Sequence, residues 1–121
     1  MENEDFYNLH SDLCKTISHP KRQYILNILR SHELTVNELV EKTGISQSNL
    51  SQHLALLRNR GVLTARQEGI KVHYSIANPK ILQAIDLMSA ALREILSSQN
   101  QTLRPTPDPQ DEKKETLGWK N

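Results

Sequence analysis

The stretch Thr43-Gly-Ile-Ser-Gln-Ser-Asn-Leu-Ser-Gln-His-Leu-Ala-Leu-Leu-Arg-Asn-Arg-Gly61 reads as a tight turn followed by a helix meant to be read from outside. Ser46 is a good N-cap, and Ile45 before it with Leu50 after it have the spacing of a hydrophobic staple, so the helix is expected to start at Gln47. Gly61 marks its end. Leu50, Leu54 and Leu57 recur at i, i+4 and i+7 and give it one narrow apolar stripe. Roughly opposite lie Ser48, Ser51, Gln52, Ala55 and Asn59, short or neutral side chains in place of the Glu/Lys mixture of a solvated helix. A major groove admits one α-helix, Gln pairs bidentately with adenine, and Ser serves several base edges or phosphates. An ordinary exposed helix rich in Ser and Gln would look the same in isolation, so the neighbouring sequence has to decide.

Upstream, Leu34-Thr-Val-Asn-Glu-Leu39 sets Thr35 and Glu38 in capping-box spacing, with Leu34 and Leu39 as the matching staple. A short helix is therefore expected from about Val36 to Lys42. Thr43-Gly44-Ile45 follows as a turn, with Gly where a left-handed backbone is needed. Short helix, Gly turn and polar-faced second helix together make helix-turn-helix organisation. Further upstream, Phe6, Leu9, Leu13 and Ile17 are spaced three and four apart and predict an amphipathic helix over residues 5–17. Pro20 suits the first turn of a second helix whose inner stripe is Ile25, Ile28 and Leu29. Lys21 and Arg22 lie in that first turn, as a solvated helix end or as phosphate contacts; position alone does not choose.

Downstream of Gly61 the period changes from helical to two. Residues 62–66 and 70–76 flank Gln67-Glu68-Gly69, and Val72, Tyr74 and Ile76 alternate with Lys71, His73 and Ser75. A hairpin directly after a reading helix is a wing, and Arg66 and Lys71 near its tip are placed for phosphates or the minor groove. Asn78-Pro79 opens a last helix with one apolar set at Ile81, Ile85, Met88, Leu92 and Ile95 and a second at Ala84, Leu87 and Ala91. Two apolar sides exceed what one small chain needs, which points to a second copy covering one of them; the alternative is cover by the chain's own first helix. Residues 1–98 thus form one expected domain. Residues 99–121, with three prolines in five residues and little apolar surface, read as a disordered tail.

Net charge is only +1, but its distribution is uneven. Residues 1–14 carry Glu2, Glu4, Asp5 and Asp12 with no Lys or Arg, whereas residues 42–80 carry Lys42, Arg58, Arg60, Arg66, Lys71 and Lys80 against Glu68 alone. Such asymmetry is the footprint of a polyanion-binding face. The single Cys14 makes no intrachain disulfide, and no apolar run reaches bilayer length. A soluble cytoplasmic protein without a membrane segment is expected.

The order of elements resembles the ArsR/SmtB family of dimeric winged-helix repressors. The residues that carry it are His19-Pro-Lys-Arg-Gln-Tyr-Ile-Leu-Asn-Ile-Leu29, Thr43–Leu54 with Leu57 and Gly61-Val-Leu63, and Val72-His-Tyr-Ser-Ile76. The resemblance implies a mainly α winged helix-turn-helix of five helices with a small β-hairpin. It implies a homodimer joined through its first and last helices, with Phe6, Leu9, Leu13, Leu87 and Ala91 as candidate interface residues. It also implies that Gln47, Ser48, Ser51, Gln52 and His53 face a double-stranded operator, and that a signal releases the protein. The chain departs from the metal-sensing members. Where those carry a Cys pair it has Thr35-Val-Asn37, and on its last helix it offers Asp86 and no His. Neither family metal site can be assembled from these residues. His10 and Cys14, at i and i+4, remain the weak candidate pair, with a structural Cys as the ordinary alternative and an interchain disulfide as another. His53 and His73 read as DNA-facing or solvated.

No Gly-rich phosphate loop, suitably placed carboxylate pair or activated nucleophile suggests an enzyme or a cofactor. The expected function is sequence-specific DNA binding by a transcriptional regulator. The competing class is a winged helix that binds proteins, since a fold alone does not fix function.

Overall fold

The computed structural model describes residues 3–99. The expected tail lies outside the described residues apart from Gln99. Among the described residues five helices and three short strands follow in the order α1 (Glu4–Ile17), α2 (Pro20–Ile28), β1 (Leu34–Thr35), α3 (Val36–Thr43), α4 (Gln47–Asn59), β2 (Leu63–Glu68), β3 (Lys71–Ile76) and α5 (Pro79–Ser98). The fold class is the expected winged helix-turn-helix.

Local chemistry sets the element ends. Pro20 occupies the first turn of α2, and His19 caps it by accepting the Lys21 N–H on Nδ1 at 3.1 Å. In α3 the capping box is complete: Thr35 Oγ1 accepts the Glu38 N–H at 3.2 Å, and Glu38 Oε1 accepts the Thr35 N–H at 2.9 Å. Gly44 closes α3 at φ 75°. Thr43 then ties helix to turn, donating its hydroxyl to the Leu39 carbonyl at 2.7 Å and accepting the Ile45 N–H at 3.1 Å. α4 starts at Gln47 beneath the Ser46 cap, whose hydroxyl accepts the Asn49 N–H at 3.3 Å. It ends in a Schellman motif. The Val62 N–H reaches the Leu57 carbonyl at 2.9 Å and the Gly61 N–H reaches the Arg58 carbonyl at 3.0 Å, with Gly61 at φ 79°.

The core is one cluster in which Ile25 and Leu26 of α2, Leu39 of α3, Ile45 of the turn and Leu50, Leu54 and Leu57 of α4 are fully buried beside Val62 and Leu63. The stripe expected on α4 is thus the one that is buried, and the staple pair Ile45 and Leu50 is completely enclosed.

Three features differ from expectation. The wing turns at Gly69-Ile70, because Glu68 pairs with Lys71, and not at residues 67–69. Gly69, at φ 63°, takes the first of the two loop positions, as tight hairpins require. The sheet also has a third strand: β1 pairs antiparallel with β3 through Leu34↔Tyr74 and Thr35↔His73, giving the order β1-β3-β2. Finally, α5 turns neither of its two apolar sets inward as a whole. Ile81 and Ile85 pack against the core and Leu82, which neither set included, is its buried residue, while Leu87, Met88, Leu92 and Ile95 are exposed. Arg30 after α2 holds α5 by a bidentate pair to Asp86, both bonds 2.9 Å.

Candidate nucleic-acid interface

The α4 face opposite the leucine stripe is open. Gln47, Ser48, Ser51, Gln52, Ala55 and Asn59 are all exposed, while Leu50, Leu54 and Leu57 hold the helix from beneath. Capping at Ser46 and the Gly44 turn determine where this face begins and how it stands relative to α3. Exposed Arg58 and Arg60 lie at its C-terminal end. Its surface offers neutral donors and acceptors flanked by cations, which is the chemistry of a groove reader.

His53 does not belong to that face. It is half-buried, and its Nδ1 accepts a hydrogen bond from Arg22 Nε at 3.2 Å. Its ring centroid lies 4.9 Å from that of His19. Burial first, then the nearby His19, Arg22 and Lys21, pushes its pKa below the ordinary imidazole value. His19 is lowered too, again by burial first and by Arg22 and Lys21 after it. Position 53 is three after Leu50 and four before Leu57, so the helical period itself puts it at the edge of the buried stripe. Lys21 is half-buried in the first turn of α2. The residue that local sequence reading did not resolve is Arg22. Besides His53, it donates from Nη1 to the Thr16 carbonyl at the end of α1, 3.1 Å away, a contact across chain distances that no local pattern reports.

On the wing, Lys71 is exposed at the first position of β3, directly after the turn. Arg66 is exposed but engaged: it pairs with Glu33 of the α2–β1 connection and with Glu68 across 2.9 Å. These bonds hold Glu33 and Glu68 below the usual carboxylate range and raise Arg66 further above its own. His73, expected to face DNA or solvent, is half-buried in the middle strand. Its Nε2 is shielded from water and lacks a hydrogen-bond partner, with Glu68 Oε1 3.8 Å away. Ile70, 97% exposed, forms the tip of the wing.

The candidate metal pair does meet, with Cys14 Sγ 3.7 Å from His10 Nδ1 on the exposed side of α1. Among the described residues no group of three or more His, Cys, Asp or Glu gathers to hold a metal ion, and Asp86 is committed to Arg30. The candidate interface residues Phe6, Leu9, Leu87 and Ala91 are exposed, while Leu13 is half-buried against the core. Among the described residues no helix is long and apolar enough to cross a membrane.

The model of the bacterial regulatory protein arsR family matches residues 19–65, the span from the α2 cap through the helix-turn-helix into β2. The chain is 40% identical over 98 residues to the HTH-type transcriptional regulator Rv0081 of Mycobacterium tuberculosis, covering 80% of this chain and 86% of that one. The chain belongs to the arsR family. Its members are transcriptional regulators that bind DNA, and this chain is one of them. The crystal structure of Rv0081 superposes with a TM-score of 0.73 at 38% identity over 79% of this chain and 97% of that one. The transcriptional repressor PagR of Bacillus anthracis is 38% identical over 80 residues, 65% of this chain and 80% of the relative. The transcriptional activator HlyU of Vibrio cholerae is 38% identical over 76 residues, 63% of this chain and 70% of the relative.

Proposed function

We propose that this arsR-family regulator is a cytoplasmic homodimeric repressor that holds a double-stranded operator until a signal releases it. The observation that carries the reading is the exposed Ser/Gln surface of α4, set on a completely buried leucine stripe and bordered by cations. Gln47, Ser48, Ser51 and Gln52 meet base edges in the major groove. Lys71 and Arg66 of the wing and Lys21 of α2 neutralise phosphates. Two copies joined through the apolar surfaces of α1 and α5 read half-sites about one helical turn apart. The work is binding and not catalysis.

The experiment is selection of duplexes from random-sequence DNA by the full chain, followed by affinity measurements across salt. Gln52→Ala is expected to relax discrimination at one base pair per half-site by about 1–3 kcal/mol. Lys71→Ala is expected to weaken all duplexes alike and to flatten the salt dependence by about one unit of slope. Absence of any enriched duplex, or affinity insensitive to salt, sinks the reading and favours a protein-binding winged helix. Loss of reporter repression on deleting the gene separates a repressor from an activator such as HlyU.

A further inference from the structure

His53 and Arg22 sit where three helices converge. Arg22, in the first turn of α2, donates from Nε to His53 Nδ1 on α4 at 3.2 Å and from Nη1 to the Thr16 carbonyl at the end of α1 at 3.1 Å. Thr16 is buried, and Arg60 at the C-cap of α4 reaches its hydroxyl at 3.5 Å. One guanidinium therefore bridges the α1–α2 junction to the middle of the reading helix. The leucine stripe beneath α4 holds it by apolar contacts, which lack direction and tolerate a small roll. The Arg22–His53 bond is directional, and it lies next in sequence to Gln52, whose aim a roll would change.

We propose that His53 is a positioning residue for DNA recognition: through Arg22 it sets the roll of α4, and it does so only while its imidazole is neutral. The inference rests on the repressor reading of the α4 face. A lone pair on Nδ1 is needed to accept from Arg22, so the neutral ring carries its proton on Nε2. Protonating Nδ1 sets two donors against each other and adds a like charge, so Arg22 swings away and releases the Thr16 carbonyl as well. The groups that act on His53 are Arg22 and Lys21 of α2 and the His19 ring at that helix's N-cap, while the Thr16 carbonyl of α1 takes the second bond of Arg22. All the charged groups in that set oppose protonation, which agrees with the lowered pKa.

The sign of the consequence is unusual. Acidification adds positive charge and ordinarily tightens binding to a polyanion. Here the affinity for a selected duplex relative to a scrambled one is expected to fall severalfold, to about tenfold at most, from about pH 7.5 to about pH 5.5, because the released imidazole is then about one pH unit below its ordinary value. The test uses the full chain, a duplex recovered by selection at the higher pH, a scrambled duplex of equal composition and circular dichroism at both pH values.

His53→Asn keeps an acceptor near the Nδ1 position that does not titrate. It is expected to retain selectivity at the higher pH and to abolish the pH dependence. His53→Leu is expected to lose selectivity at both pH values with an unchanged salt slope. His19→Asn retains a good N-cap, so its pH dependence should persist. The proposal is overturned if wild-type selectivity holds or rises in acid, if His53→Asn still loses it, if His53→Leu keeps it, or if the helical signal collapses in parallel. Failure to enrich any duplex at the higher pH removes the underlying repressor reading and this inference with it. A selected duplex whose preference ignores His53 removes this inference alone.

Discussion

At the scale of single residues, charge placement decides more than charge count. Arg66 would serve a phosphate on the wing, yet Glu33 and Glu68 already satisfy it, so DNA has to displace carboxylates to use it. Glu33→Gln is expected to tighten duplex binding by about two- to fivefold at low salt, the range of an exposed ion pair, and the gain should fade as salt rises. The same substitution in an Arg66→Ala background separates release of Arg66 from simple loss of a negative charge, because only release makes the two effects non-additive in anisotropy titrations. His19 and His53 make a second prediction. Both have pKa values depressed in the folded chain, so the unfolded chain binds more protons below the ordinary imidazole value. Stability is then full above about pH 6.5 and is lost as pH falls through the two lowered values. Urea midpoints measured from neutral to mildly acidic pH should decline, and less steeply in the His19→Asn, His53→Asn double variant.

At the scale of elements, the reading helix is specified at both ends by its own neighbours. Gly61 needs a left-handed backbone for the Schellman closure, and a Cβ there would meet open space, so strain in φ is the whole cost of a side chain. Gly61→Ala is expected to destabilise by about 1–2 kcal/mol, seen as a lower urea midpoint with an unchanged slope. Caps, staples and the 3.6 period are local signals, which is why α3, the turn and α4 were legible from sequence down to their buried leucines. The exposure of Ser48, Ser51 and Gln52 was legible for the same reason, whereas Gln47 entered through the family resemblance. The elements that were not legible depend on distant partners. β1 is only two residues long and shows no alternation of its own; it exists because β3 pairs with it. His53 was read as DNA-facing or solvated because its polarity was weighed above its place beside Leu50 and Leu57; it is half-buried, and its hydrogen-bond partner lies in another helix. On α5, an apolar period reports that a face will be covered without saying by what, so Leu82 turned inward while Met88 stayed out.

At the scale of the whole molecule, the helix-turn-helix core closes on itself while two helices keep apolar faces uncovered. Leu9 of α1 is 69% exposed and Leu87 of α5 is 72% exposed, joined by Phe6, Met88, Leu92 and Ile95. Apolar surface of this extent on the first and last helices is costly in water, and covering it with a second copy relieves both chains at once. The core residues Ile25, Leu39, Ile45, Leu50, Leu54 and Leu57 are enclosed without help from those faces. Assembly of the proposed dimer and folding of the core are therefore separable by mutation. Leu87→Glu places a charge on the open face of α5 and disturbs no buried contact, so the variant is expected to keep its helical circular dichroism while its sedimentation mass falls from two chains to one. Operator affinity should drop about 100-fold or more, because a second half-site bound through a linked subunit gains from effective concentration that two free monomers lack. Affinity for a single half-site should barely change, since Gln47, Ser48, Ser51 and Gln52 remain on an intact α4. A variant that sediments as two chains would place the dimer contact elsewhere, and one that loses its helices would show that α5 supports the core more than its exposure allows.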